Sequence, residues 1–189
     1  MSGCWCRGEW GGQVEFLQAL LGFTAYQGSL KANGRELSQW PRDAWQGQLG
    51  YLSQQPPIQS GSIAENLRLA APEKSDAELV EVLIQVGLWP ILVRGDGLAT
   101  QLGERGQGLS GGQLQRLGLA QLLLRDAALW LFDEPTAHLD PDAARQLNAL
   151  IGRLSGGRSV MVVSHESAGL GWVDRRVALL SPEAMACCG

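Results

Sequence analysis

The chain has 189 residues, of which 45% are hydrophobic, 18% are charged and 25 are glycine, so its composition excludes the disordered, collagen-like and coiled-coil classes. Fifteen Lys and Arg residues stand against nineteen Asp and Glu residues, and a formal net charge of -4 disfavours a surface built mainly to bind nucleic acid. No stretch approaches the about 20 consecutive apolar residues that a membrane-spanning helix needs. Cys4, Cys6, Cys187 and Cys188 match no usual zinc spacing, and we expect them in frayed, reduced termini.

The first part of the chain predicts a mixed, sheet-forming region. A short helix is expected over 16–21, followed by a strand that turns at Asn33 and Gly34 and by a strand over 49–53. From about 63 to 95 the pattern becomes helical. Pro72 and Ser75 open a helix over 76–86 that ends near Gly87. The sequence therefore predicts an inserted helical subdomain after a sheet-forming start.

The second half predicts alternating strands and helices. After 109–112 a helix is expected to run to about Arg125, and the apolar run 127–132 is typical of a strand buried on both faces. A helix over Pro141–Leu154, with Asp140 as its N-cap, separates that run from a second strand over Ser159–Val163. Strand, helix and strand in this order predict a parallel crossover, and hence an α/β core.

Two adjacent carboxylates end the first of these strands. Asp133 and Glu134 follow an apolar run and are expected at the carboxyl edge of the sheet, where open α/β sheets bind ligands. Asp133 is a candidate ligand of Mg²⁺, and Glu134 is a candidate base that orients and deprotonates an attacking water. The alternative is a solvated acidic turn.

Three further features fit the same chemistry. A helix is expected to start at Ser110, Gly111, Gly112 and Gln113, where backbone N–H groups and the helix dipole form an anion site. The alternative, a simple N-cap, would explain the serine but not the two glycines. His165 follows the strand over Ser159–Val163 and would donate to a phosphate oxygen and couple to Glu134, although a lone histidine is more often structural. Gln54 follows the strand over 49–53, and its amide could reach a metal ion or a water.

Together these segments resemble the nucleotide-binding domain of ATP-binding cassette (ABC) transporters, over about 16–176. Their order along the chain fits that family: Gln54 as the Q-loop, 109–113 as the signature motif, Asp133 and Glu134 as Walker B, 137–140 as the D-loop, and His165 as the switch histidine. The segments 60–67 and 103–106 are similar to those of exporters, whose 103–106 counterpart touches the transmembrane partner. Residues 26–30, 33–34 and 54–56 resemble most the cysteine or glutathione exporters needed for cytochrome bd assembly.

The resemblance implies a P-loop NTPase-like, mainly parallel sheet with an inserted helical subdomain. Its expected parts are a partial ATPase core over 1–55, a helical subdomain with the signature motif over 56–118, and a second part of the core over 119–189. It implies ATP and Mg²⁺ as cofactors, with Glu134, His165 and Gln54 catalytic, and Asp133 and Gln54 at the metal. Gly12, Gln13, the signature residues Ser110, Gly111, Gly112 and Gln113, and Asp140 are the expected nucleotide contacts.

The implied partners are the transmembrane domain of an exporter and a second nucleotide-binding domain in a heterodimer, with no nucleic acid. Contact with the membrane would run only through the partner, at the cytoplasmic face of the inner membrane. The absence of a secretory signal in the first residues also favours the cytoplasm.

The family's phosphate-binding loop, G-x-x-x-x-G-K-[ST], departs from its pattern here. Its lysine position falls on Gln13 and its hydroxyl position on Val14, and Gly12 alone matches. We expect neither the loop nor the strand before it to be intact. One hypothesis is a truncated exporter whose first residues, 1–15, are read in a shifted frame, as are 181–189. A second is a hydrolysis-deficient domain that lends its signature motif to a partner, and a third is a soluble DNA-repair type ATPase.

Overall fold

This computed structural model describes residues 3–8, 12–165 and 169–179. The strands are β1 (Gly3–Gly8), β2 (Lys31–Ala32), β3 (Arg35–Glu36), β4 (Leu49–Leu52), β5 (Gly61–Ser62), β6 (Gln101–Leu102), β7 (Leu129–Asp133), β8 (Ser159–Val163) and β9 (Arg175–Leu179). The helices are α1 (Gly12–Leu20), α2 (Arg42–Gln46), α3 (Ile63–Arg68), α4 (Asp76–Gln85), α5 (Trp89–Leu92), α6 (Gly111–Leu124) and α7 (Pro141–Leu154). Among these described residues, no helix combines the length and the apolar character that crossing a membrane requires.

A five-stranded sheet in the order β4-β7-β8-β1-β9 forms the centre of the fold. Every neighbouring pair in it is parallel, and the register aligns β7 with β4 on one side and with β8 on the other. The carboxyl ends of all five strands therefore lie at one edge of the sheet. Helices lie between β1 and β4, between β4 and β7, and between β7 and β8, so the predicted α/β class with a mainly parallel core is confirmed.

The middle strands form because they are buried on both faces. Trp130, Leu131 and Phe132 of β7 have no exposed surface, and they alternate between two clusters of apolar side chains. Trp130 and Phe132 face the larger cluster with the helices α3, α4 and α6, whereas Leu131 faces a smaller one with α1. A continuous apolar run is the pattern that such a strand requires. The strand over Ser159–Val163 and the helix over Pro141–Leu154 are confirmed at their predicted bounds.

The expectation that no strand precedes α1 is wrong. β1 runs over Gly3–Gly8 between β8 and β9, with Cys4 opposite Met161 and Arg175. Cys4 and Cys6 consequently lie within the sheet and not in a frayed terminus. Two parallel partners supply the hydrogen bonds that make this segment a strand, although its apolar run is only Cys4, Trp5 and Cys6 and it has no alternating pattern. Residues 181–189, including Cys187 and Cys188, lie outside the described residues.

The helical region between β4 and α6 is confirmed, and local capping explains its start points. Ser62, Ser75 and Ser110 each begin a helix with a reciprocal capping box, in which the serine hydroxyl and a side chain three residues later exchange bonds with backbone N–H groups. Gly87 has a φ of 72° just after α4, which is the left-handed conformation that ends helices. These signals depend only on nearby residues, so the sequence reveals them.

Glycines let α6 pack closely on β4. A Cβ atom at Gly118 would lie 2.5 Å from Leu52 Cδ1 and 3.0 Å from the Pro56 ring. A Cβ atom at Gly50, on the facing strand, would lie 2.3 Å from Leu122 Cδ1. This close approach sets the position of the chain that leaves β4 and carries Gln54.

Candidate functional site

The parallel sheet gathers the predicted site residues at one edge. Gln54 follows β4, Asp133 ends β7, His165 follows β8, and Gly12 begins α1 after β1. Since these strands run in the same direction, all four positions lie on the carboxyl side of the sheet, where ligands of α/β proteins bind. The predicted gathering of Gln54, Asp133, Glu134 and His165 at this edge follows from the observed strand order.

Glu134 and His165 form the best-defined pair of the site. The Glu134 backbone has a φ of 46°, and its N–H donates to the Val163 carbonyl across the sheet at 2.9 Å. Its Oε1 accepts the backbone N–H of His165 at 2.8 Å and lies 3.5 Å from the His165 Nε2. Its Oε2 accepts the Ser164 hydroxyl at 3.4 Å. The fold therefore brings Glu134 and His165 into contact, and their roles at a phosphate stay predictions.

The environment of Glu134 makes its carboxylate more basic. Burial raises the pKa above the ordinary 4.5, while the bonds from His165 and Ser164 act in the opposite direction, and the neighbouring charge of Asp133 raises it again. Its side chain is 18% exposed, so a small molecule can still reach it. A half-buried carboxylate with a raised pKa that is oriented by two neighbours has the properties of a general base.

Asp133 is held by a residue that the sequence did not single out. Tyr51 donates its hydroxyl to Asp133 Oδ2 at 3.0 Å. Burial, and then the charge and hydrogen bond of Asp133, raise the pKa of Tyr51 well above its ordinary value, so the phenol remains a donor. The register places Tyr51 opposite Leu131, two residues before Asp133 on the same face of the sheet. A predicted pairing of these strands, with their register, is the only signal that would have found Tyr51.

Gln54 contacts the 137–140 turn. Its side-chain Nε2 lies 3.0 Å from His138 Nε2, and its backbone carbonyl accepts a bond from Gln115 Nε2 of α6 at 2.6 Å. Among the hydrogen bonds of the described residues, none joins Gln54 to Asp133. Gln54 and His138 line a cavity of about 540 Å³, together with Gln55, Arg105, Gly111, Leu139 and their neighbours.

The segment over 110–113 begins α6 and is capped by its own side chains. Ser110 Oγ accepts the N–H of Gln113 at 3.3 Å, and Gln113 Oε1 accepts the N–H of Ser110 at 2.9 Å. A Cβ atom at Gly111 would lie 3.3 Å from Leu139, so close packing accounts for that glycine. At Gly112 the nearest atom would be 4.0 Å away, so packing does not require a glycine there. The N–H groups of Gly111 and Gly112 are the first-turn donors outside the capping box.

Asp140 has a structural role as a helix cap. Its Oδ1 accepts the N–H groups of Asp142 and Ala143 at 3.1 and 2.9 Å and so caps α7. This confirms the predicted N-cap. A role of Asp140 in nucleotide binding stays a prediction.

The residues fit a nucleotide with Mg²⁺ in part. The strand-end carboxylates Asp133 and Glu134 supply the oxygen atoms that Mg²⁺ prefers, and α1 begins at Gly12 beside the same edge of the sheet. Gln13 and Val14 form the first turn of α1, and neither residue type can supply the cation or the hydroxyl of an intact phosphate-binding loop. The carboxylate half of the site fits, whereas the phosphate half lacks its charged and metal-binding side chains.

A parallel sheet with two carboxylates and a histidine at one edge, and a capped helical unit inserted after β4, is the arrangement of the P-loop NTPase fold. The family model described as ABC transporter matches residues 12–137, about two thirds of the chain. The chain therefore belongs to the ABC transporter family.

Named relatives support this assignment. The glutathione/L-cysteine transport system ATP-binding/permease protein CydC of Haemophilus influenzae is 35% identical over 167 residues, which are 87% of this chain and 29% of the relative. The corresponding protein CydD of Escherichia coli is 33% identical over 156 residues, 82% of this chain and 26% of the relative. A bacterial Atm1-family ABC exporter with ATP bound shares the fold, with a TM-score of 0.84 over 94% of this chain and 32% of that chain, at 23% identity. The chain thus spans between a quarter and a third of the length of these proteins.

Proposed function

We propose that this chain acts as a nucleotide-binding domain that couples ATP binding and hydrolysis to export of a small thiol such as cysteine or glutathione. The observation that carries this proposal is the Glu134 carboxylate, which has a raised pKa and is held at the carboxyl edge of the sheet by the His165 backbone N–H at 2.8 Å. The relatives named as glutathione/L-cysteine transport proteins support the substrate class.

Glu134 is the proposed general base. Its Oε2 or Oε1 takes the proton of a water that attacks the terminal phosphate, and its raised pKa brings its basicity closer to that of the reacting water. The bond from His165 N–H keeps the carboxylate in one orientation. The His165 imidazole, 52% exposed, is free to turn from Glu134 toward a phosphate oxygen.

Asp133 and Gln54 are the proposed metal ligands. Asp133 offers an anionic oxygen that Tyr51 holds in place, and Gln54 offers its amide oxygen. When bound with the nucleotide, Mg²⁺ would neutralise charge on the phosphates. Ser110, Gly111, Gly112 and Gln113 would complete the site of a second nucleotide-binding domain, with Asp140 nearby. In this proposal the chain works at the cytoplasmic face of the inner membrane, beside the transmembrane domain of the exporter.

Gln13 and Val14 favour a second candidate function. Without the lysine charge and the hydroxyl, phosphate binding by this chain depends on backbone N–H groups and on the helix dipole, which are weaker contributions. In this alternative, the chain is a hydrolysis-deficient subunit whose signature segment over 110–113 serves the nucleotide of its partner. The two candidates share the fold and differ in whether this chain turns over ATP.

Mg²⁺-dependent phosphate release from ATP by the purified full chain distinguishes the two. The first function predicts turnover that falls by about 100-fold or more in Glu134→Gln, the size expected for loss of a general base. Glu81→Gln, an exposed glutamate of α4, is the matched control and should retain full activity. The second function predicts no turnover in the unmodified chain and a gain of nucleotide binding in the double variant Gln13→Lys, Val14→Ser. Turnover that survives in Glu134→Gln would refute the assigned base.

A further inference from the structure

His138 lies in a turn whose backbone is fixed on both sides. The Ala137 N–H donates to the Glu134 carbonyl at 3.0 Å, and the Leu139 N–H donates to the Thr136 carbonyl at 3.2 Å. His138 itself has a φ of 64°, in the left-handed region that few residues other than glycine adopt. The turn therefore fixes the direction of the His138 Cα–Cβ bond, four residues after the proposed base.

Gln54 is held at two points by different parts of the chain. Gln115 Nε2 of α6 donates to its backbone carbonyl at 2.6 Å, and its own side-chain Nε2 lies 3.0 Å from His138 Nε2. An amide nitrogen can only donate a hydrogen bond, so the imidazole Nε2 must be the acceptor. A neutral imidazole that accepts at Nε2 carries its proton on Nδ1. The contact thus selects one tautomer of His138.

The same contact decides which atom of Gln54 is left for other partners. Because the NH₂ group is directed to His138, the amide oxygen Oε1 is the atom that remains, and oxygen is the atom that Mg²⁺ accepts from an amide. An amide turned by half a rotation would offer its NH₂ group to a cation. Residues that do not contact a metal ion can control its ligands by orienting them in this way.

We propose that His138 is a positioning residue that holds the Gln54 side chain with its amide oxygen free to ligate Mg²⁺. This inference deepens the proposed function and depends on it for the role of Gln54. Through Gln54, the 137–140 turn, α6 and the chain that follows β4 are linked around the cavity of about 540 Å³.

The tautomer is measurable because the chain has two histidines, His138 and His165. In the uniformly ¹⁵N-labelled full chain at about pH 8, where an ordinary histidine is neutral, long-range ¹H–¹⁵N correlation gives both imidazoles, and His138→Gln assigns them. We expect the His138 proton on Nδ1. Gln54→Ala should remove this preference, and Gln55→Ala, a neighbour that lines the same cavity, should not. A proton on Nε2, or signals unchanged by Gln54→Ala, would overturn the proposal.

A second measurement tests whether His138 affects the Mg²⁺ concentration that ATP hydrolysis requires. His138→Phe removes the acceptor and should raise the Mg²⁺ concentration for half-maximal ATP hydrolysis by about tenfold, and His138→Gln, which keeps an acceptor, should restore it. An unchanged Mg²⁺ requirement in His138→Phe would overturn the positioning role. Absence of hydrolysis in every form would refute the proposed ATPase function instead, and the imidazole signals would then decide the role of His138 by themselves.

Discussion

The contact between α6 and β4 predicts that Gly118→Ala destabilises the protein. Alanine in the middle of a helix is favoured over glycine by about 1 kcal/mol. The added Cβ, however, would lie 2.5 Å from Leu52 Cδ1 and 3.0 Å from two atoms of the rigid Pro56 ring, and Leu52 is itself buried. Overpacking of a core typically costs about 1–3 kcal/mol, and contacts this short place Gly118 at the upper end of that range. The net loss is about 1–2 kcal/mol, which corresponds to a fall in Tm of about 2–8 °C for a chain of this size.

Urea unfolding followed by circular dichroism measures this loss. Gly112→Ala is the matched control, because it makes the same substitution in the first turn of the same helix where the nearest atom to the new Cβ is 4.0 Å away. This control should leave the free energy of unfolding unchanged or raise it slightly. If Gly118→Ala is as stable as Gly112→Ala, the close packing of α6 on β4 is not present in solution.

Two further predictions concern the site edge. Asp140→Ala removes the side chain that accepts two N–H groups at the start of α7, and it should lower the free energy of unfolding by about 1 kcal/mol. Asp140→Asn is the control, because asparagine caps a helix as well as aspartate does, and it should not lower this free energy. Equal losses in the two variants would contradict the capping role. Glu134 binds its proton more tightly in the folded chain than in the unfolded one, so stability should fall as the pH rises above 4.5 through the raised pKa. Glu134→Gln should lose this part of the pH dependence in urea titrations at pH 5 and pH 8, and an identical decline in both proteins would contradict the buried, basic carboxylate.

The elements that the sequence predicts well are those whose signals are local or continuous. Apolar runs predict β7 and β8 because both faces of these strands are buried, and serine caps predict the helix starts because each cap involves residues three apart. β1 carries no such signal, since its sequence is short and rich in glycine and cysteine. It is a strand because β8 and β9, more than 150 residues later in the chain, pair with it on both sides.

The residues of the candidate site can likewise be divided into those that the sequence predicts and those that it does not. Glu134 and His165 follow strands that the sequence predicts, so their meeting at one edge could be expected from a parallel crossover. Tyr51 and His138 could not be expected. The bond of Tyr51 to Asp133 depends on the register between β4 and β7. The contact of His138 with Gln54 depends on a left-handed turn that approaches a segment 84 residues away. Register and close approach are properties of the assembled fold.

The two halves of the site are built by different parts of the chain, which has a consequence for the competing functions. β7 and β8 alone place Glu134 against His165, since the bonds between them involve only residues of these strands and of the turns that follow. The predicted phosphate half belongs to β1 and α1, where the family resemblance implies that Gln13 occupies the lysine position. Substitutions at 13 and 14 should therefore change nucleotide binding without altering the pH dependence that Glu134 confers on stability. Effects of distant, independent sites add, so the double variant at 13 and 14 combined with Glu134→Gln should show the sum of the two separate changes in stability. A marked departure from that sum would mean that the start of α1 contacts the base, and the hydrolysis-deficient alternative would then have to include a disturbed Glu134.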